Sequence, residues 1–164
     1  MALRMILTAD ESVLHKRCRP VTDFDERLHT LLDDMADTLY ESNGVGLAAP
    51  QVGILRRVVV IDGGEELLEL INPEIIATEG EQTGLEGCLS VPGKYGIVTR
   101  PMKATVRAQD RDGNWFEVDG EELMARAFCH ELDHLDGHIY TEVAERMLTA
   151  EELEELANAQ EDEE

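Results

Sequence analysis

The chain has 164 residues, 43% of them apolar, which is enough to bury a core within a single domain spanning 1–164. Its 14 basic and 36 acidic residues give a formal charge of −22, a surface that repels phosphate backbones and argues against direct nucleic-acid binding. No apolar run approaches the ~20 residues that span a bilayer, and the opening Met1-Ala2-Leu3-Arg4 does not start a signal peptide, so the expectation is a cytoplasmic protein without a membrane role.

Taken in chain order, Cys18 comes first, in the start of a polar loop, and receives no role. With Cys88 and Cys129 it makes an odd set without framework spacing, as expected of reduced thiols. Thr22 to Asn43 reads as a long N-terminal helix. Asp23 is placed to cap it with Glu26 three residues on, and Leu28, Leu31, Leu32, Met35 and Leu39 share one face. Asn43-Gly44 stops it. Four β-like runs follow: "RRVVVID", "ELLELINP", "EIIATEG" and "KATVRAQD", each short and bounded by Gly, Pro or Asp. Asp112-Gly113 marks a hairpin turn into "NWFEV".

A second helix is expected from about Glu121 to Asp136, with Gly137 as its left-handed C-cap. Thr149 and Glu152 offer a capping box that opens a C-terminal helix on Leu153 and Leu156, and the acidic tail begins at about 151. The order predicts an α+β fold: small, mostly antiparallel sheets packed around a central helix, without the alternating helices of a doubly wound parallel sheet.

The central helix carries "HELDH", His130 to His134. Residues four apart lie one turn apart on one face, so the two histidines can bind a single ion. Glu131 falls about 100° round the helix, beside that ion without being a ligand. A third ligand is required. The metzincin extension of this motif puts Tyr140 where its third histidine belongs, and His138 comes two residues too early. A zinc metallopeptidase with a downstream glutamate could use Glu151, Glu152, Glu154 or Glu155, in a tail better explained as solvated charge. The strongest choice is Cys88 in "GLEGCLSVPG", because a thiolate with two imidazoles suits a borderline divalent ion and leaves one tetrahedral position open. Gly84 and Gly87 let the backbone bring that thiol close. Cys129 points away into the core.

"GVGLAAPQ" at Gly44 to Gln51, "EGCLS" at Glu86 to Ser90 and "HELDH" together resemble the peptide deformylases, from the first helix through Tyr140. The resemblance implies hydrolysis of the formyl group from the N-formylmethionine of nascent chains. It implies Cys88, His130 and His134 as ligands of one ion per chain, ferrous iron first, with zinc, nickel or cobalt able to replace it. Glu131 matches the family's general acid/base, and Gln51 with the Leu89 N–H matches the groups that hold the reacting carbonyl oxygen. Gly46 matches a position whose backbone pairs with substrate, and Gly44 beside it suits an extended peptide adding as a strand. Val45, Gly87, Leu89 and Ala127 are candidates for the methionine pocket and its rim, with Phe128 behind them. Arg126, one turn before His130, could reach substrate carbonyls, although a surface salt bridge explains it more simply. Some relatives dock on the ribosome through a basic terminal helix; the acidic tail here argues against that route.

Overall fold

The computed structural model describes the backbone of residues 2–163 and the side chains of 2–159; Met1 and the last acidic side chains of the tail lie outside them. After an extended segment and a short 3-10 turn, helix α1 runs Glu26–Glu41. Its cap is Asp25, whose carboxylate accepts the Leu28 N–H at 3.1 Å, and not Asp23 as the capping-box spacing suggested. Asn43, at φ 56, supplies the left-handed turn that ends the helix.

Strands β1 (Gly46–Ala48), β2 (Val58–Asp62), β3 (Leu67–Glu79), β6 (Lys103–Gln109) and β7 (Trp115–Glu121) form a five-stranded antiparallel sheet in the order β1-β2-β3-β6-β7. Strands β4 (Gln82–Cys88), β5 (Val91–Arg100) and β8 (Arg146–Met147) form a second sheet, β4-β5-β8. Two of the expected strands are one: β3 runs through Pro73, where the register shifts between Ile71 and Glu74 and Asn72 sits at φ 51. A bulge needs no ladder N–H from proline, so the strand survives it.

Helix α2 (Leu123–Leu135) lies between the sheets and is buried along most of its length. Strand β2 alternates its contacts. Val59 and Ile61 pack towards α2 with Phe128 and Leu135, while Val58 and Val60 pack towards Leu31, Leu32 and Met35 of α1. Each such fully buried side chain is worth ~1.5–3 kcal/mol, which makes α1, the sheet and α2 one layered core. Cys18 lies in a loop segment as expected, but its side chain belongs to that core at 3% exposure. Burial pushes its thiol up to about 11. Gly137 takes φ 84 at the end of α2 as expected. The Thr149–Glu152 capping box forms with both bonds at 3.1 Å and opens helix α3 (Ala150–Glu163). Among the described residues, no helix is long and apolar enough to cross a membrane.

Candidate metal centre

The "GLEGCLSVPG" segment is built of strand, turn and strand. Strands β4 and β5 form a hairpin around a turn at Leu89 and Ser90, with Cys88 opposite Val91 and a register shift just before it. The glycines that disguised the strand serve packing: a Cβ on Gly87 would sit 2.8 Å from the Tyr95 ring. The hairpin delivers Cys88 to the metal-facing side of α2. One donor atom each from Cys88, His130 and His134 lies within 4.8 Å of the others, and Cys88 Sγ is 3.3 Å from His134 Nε2. Donors around a tetrahedral ion with bonds of ~2.0–2.3 Å stand roughly 3.3–3.8 Å apart, so sulfur and two imidazoles at this spacing fit a divalent metal. Both histidines are buried.

Around the triad, polar groups are fixed in turn. Gln51 is buried; its Oε1 accepts the Ala48 N–H at 2.9 Å, which turns its amide nitrogen towards Ser90 Oγ at 3.0 Å and Cys88 Sγ at 3.6 Å. The Leu89 N–H has no acceptor among the described residues. Glu131 is buried, its Oε1 has no hydrogen-bond partner among the described residues, and burial raises its carboxyl to about 7. Gly46 explains the room it has: a Cβ there would stand 2.6 Å from Glu131 Oε2. On Gly44, a Cβ would strike the Leu89 side chain at 2.8 Å.

Sequence reasoning missed the residue that organises this centre. Glu86 accepts from His130 Nδ1 at 2.6 Å, from Arg100 at 2.7 and 3.2 Å, and from Arg126 at 2.8 Å. Burial pushes its carboxyl up, but the bonds from His130 and Arg100 overcome this and hold it at about 2. Arg126 is therefore no surface salt bridge: it is 9% exposed, bound to Glu86 and to the Val98 carbonyl at 3.2 Å. Tyr140, which occupies the position the metzincin pattern gives to histidine, stacks near the His130 ring with centroids 5.9 Å apart. The signal for Glu86 was its place in the "EGCLS" run, but nothing local said that its carboxylate turns inwards.

A cleft of about 450 Å³ opens over Cys88, His130 and Glu131. Val45, Gly87, Leu89, Arg126 and Ala127 all border it, whereas Phe128 is in the core behind. The cleft lies between strands with free edges, because β1 and β4 each end their sheet. The tail glutamates do not join the cluster: Glu152 is engaged by Arg146 at 2.7 and 2.8 Å.

An α+β fold that brings a thiol to an HExxH helix, beside an enclosed glutamate, defines a metal-dependent hydrolase. A family model of polypeptide deformylases matches residues 3–149, and the chain belongs to that family. It is 60% identical over 148 residues to the peptide deformylase of Agathobacter rectalis, covering 90% of this chain and 94% of that protein. Among solved structures, the Legionella pneumophila peptide deformylase superposes with TM-score 0.84 at 42% identity, covering 96% of this chain and 97% of that one. The Thermotoga maritima enzyme gives 0.85 at 39%, covering 87% and 97%. Family membership assigns a hydrolase that removes the formyl group from nascent peptides and leaves the metallopeptidase alternative without support.

Proposed function

We propose that this chain deformylates N-formylmethionyl peptides with one divalent ion held by Cys88, His130 and His134. Ferrous iron is the ion assigned, and zinc, nickel or cobalt can substitute. The observation that carries the reading is the convergence of the Cys88 thiol on the two helix imidazoles, with the Gln51 amide 3.6 Å from the sulfur and Glu131 lining the same cleft.

Cys88, His130 and His134 would hold a divalent ion that would supply Lewis acidity and lower the pKa of bound water to about 7. Glu131, raised to about 7 by burial, takes the proton of the attacking water and returns it to the amine nitrogen as the C–N bond breaks. Formate and a free amino terminus result. The carbonyl oxygen that gains charge is met by the Gln51 Nε2–H and the unengaged Leu89 N–H, and losing one such donor costs ~3 kcal/mol of barrier. The peptide lies extended between the free edges of β1 and β4, adding as a strand beside Gly46. Val45, Leu89 and Ala127 wall the first side chain, and Arg126 shapes the floor while committed to Glu86.

The cytoplasm is the assigned location, consistent with three unpaired cysteines. The acidic face of α3 disfavours docking on RNA, so ribosome contact through this helix is not part of the proposal. The test is formate release from formyl-Met-Ala-Ser by protein loaded anaerobically with ferrous iron. No release, with the metal demonstrably bound, would refute the assignment.

A further inference from the structure

The two metal-facing histidines are held by different means. His130 has its Nδ1 fixed by Glu86 at 2.6 Å. The Nδ1 of His134 is buried and has no hydrogen-bond partner among the described residues. No second bond on the ring orients it, so its aim depends on the backbone that carries it. That backbone is the last turn of α2, where the His134 carbonyl is taken locally by the Gly137 N–H at 3.1 Å.

The next carbonyl, that of Leu135, is taken by groups from outside the helix. Arg57 Nη1 donates to it at 3.1 Å and to Asp136 Oδ1 at 3.0 Å, while the Cys18 N–H donates to it at 2.8 Å. Arg57 is itself anchored. Its side chain is only 16% exposed, its N–H donates to the Arg19 carbonyl at 3.0 Å, and its carbonyl accepts from the Asn72 N–H at 2.8 Å. The residue after it, Val58, begins β2, which is fully buried there. The guanidinium therefore joins the end of the metal helix to the start of a buried strand of the sheet.

We infer that Arg57 is a positioning residue for His134, substituting for the ring partner that His134 lacks. The inference rests on the proposed metal site. Groups that orient a metal ligand from behind typically change metal affinity by 10–100-fold when removed. A residue that merely stabilises the fold lowers the melting temperature and leaves the coordination unchanged.

The test uses the full chain loaded with cobalt, comparing wild type with Arg57→Ala, Arg57→Lys and Arg111→Ala. Arg111 is the control because it too ties two groups together, the carboxylates of Glu69 and Asp33, away from α2. Arg57→Ala is expected to lose cobalt to excess chelator roughly tenfold faster than wild type, with shifted visible bands. Arg57→Lys, which keeps one donor and the charge, is expected to recover part of that loss. Arg111→Ala is expected to melt earlier but to release cobalt at the wild-type rate. Wild-type release and bands in Arg57→Ala would overturn the inference. If that variant does not fold, Asp136→Ala frees the guanidinium from its second anchor, and accelerated release there supports the inference while wild-type release overturns it. Failure of the wild type itself to bind cobalt would instead overturn the metal site on which this rests.

Discussion

Replacing Glu86 by glutamine removes one negative charge and almost no volume from the most heavily used carboxylate in the molecule. In the native protein that carboxylate is 5% exposed and answers two guanidinium groups and the His130 ring. Breaking one side of a buried ion pair typically costs 3–5 kcal/mol, because the partner charge stays buried. The titration leads to a similar figure: a carboxyl lowered from 4.5 to about 2 is worth about 3 kcal/mol at neutral pH. Arg100 retains Asp133 at 2.8 Å, which keeps the expected loss near 3 rather than 5 kcal/mol. The sign with pH follows from the lowered pKa: the contribution is fully present above pH 4.5 and is lost as pH falls towards 2. Denaturant unfolding of wild type and Glu86→Gln, both without metal, between pH 7 and pH 3 measures this. A difference of ~3 kcal/mol at pH 7 that shrinks in acid is predicted. A difference below ~0.5 kcal/mol at pH 7, or one that grows in acid, would refute the reasoning.

Four further outcomes are expected. Gly46→Ala forces a methyl against Glu131 and should lower kcat at least tenfold at nearly unchanged melting temperature; wild-type kcat would contradict the contact. Gly137→Ala meets a left-handed φ and places a Cβ 2.8 Å from the His15 carbonyl, so calorimetry should show a loss of about 2 kcal/mol. Ending the chain after Thr149 removes α3 with its Arg146–Glu152 pair and capping box, which lie outside the cleft, so steady-state kcat/KM should stay within about twofold. Peroxide should abolish the activity of iron-loaded protein by oxidising the metal or Cys88, and retained activity without metal exchange would count against iron.

Features that repeat locally were legible in the sequence. Leu28, Leu31, Leu32, Met35 and Leu39 face the core at helical spacing, and the His130–His134 pair follows from that same period. What failed depended on contacts from elsewhere. The β4–β5 hairpin hides behind glycines such as Gly87, whose absent side chain makes room for Tyr95, a reason visible only in three dimensions. Pro73 suggested a break between two strands because a bulge cannot be told from a turn by composition. Asp25 took the cap from Asp23 by two residues, within the usual uncertainty of helix ends. At the site, the triad and Glu131 could be read from motif chemistry. Glu86 with Arg100, and the burial of Arg126, could not, because a charge run in sequence does not reveal which charges turn inwards to meet one another.

X-ray absorption at the iron edge of the anaerobically loaded protein tests the metal assignment most directly. One sulfur neighbour at ~2.3 Å with two imidazole nitrogens and one lighter ligand is predicted, and the sulfur should vanish in Cys88→Asp. A metal shell without sulfur in the wild-type protein would contradict the account.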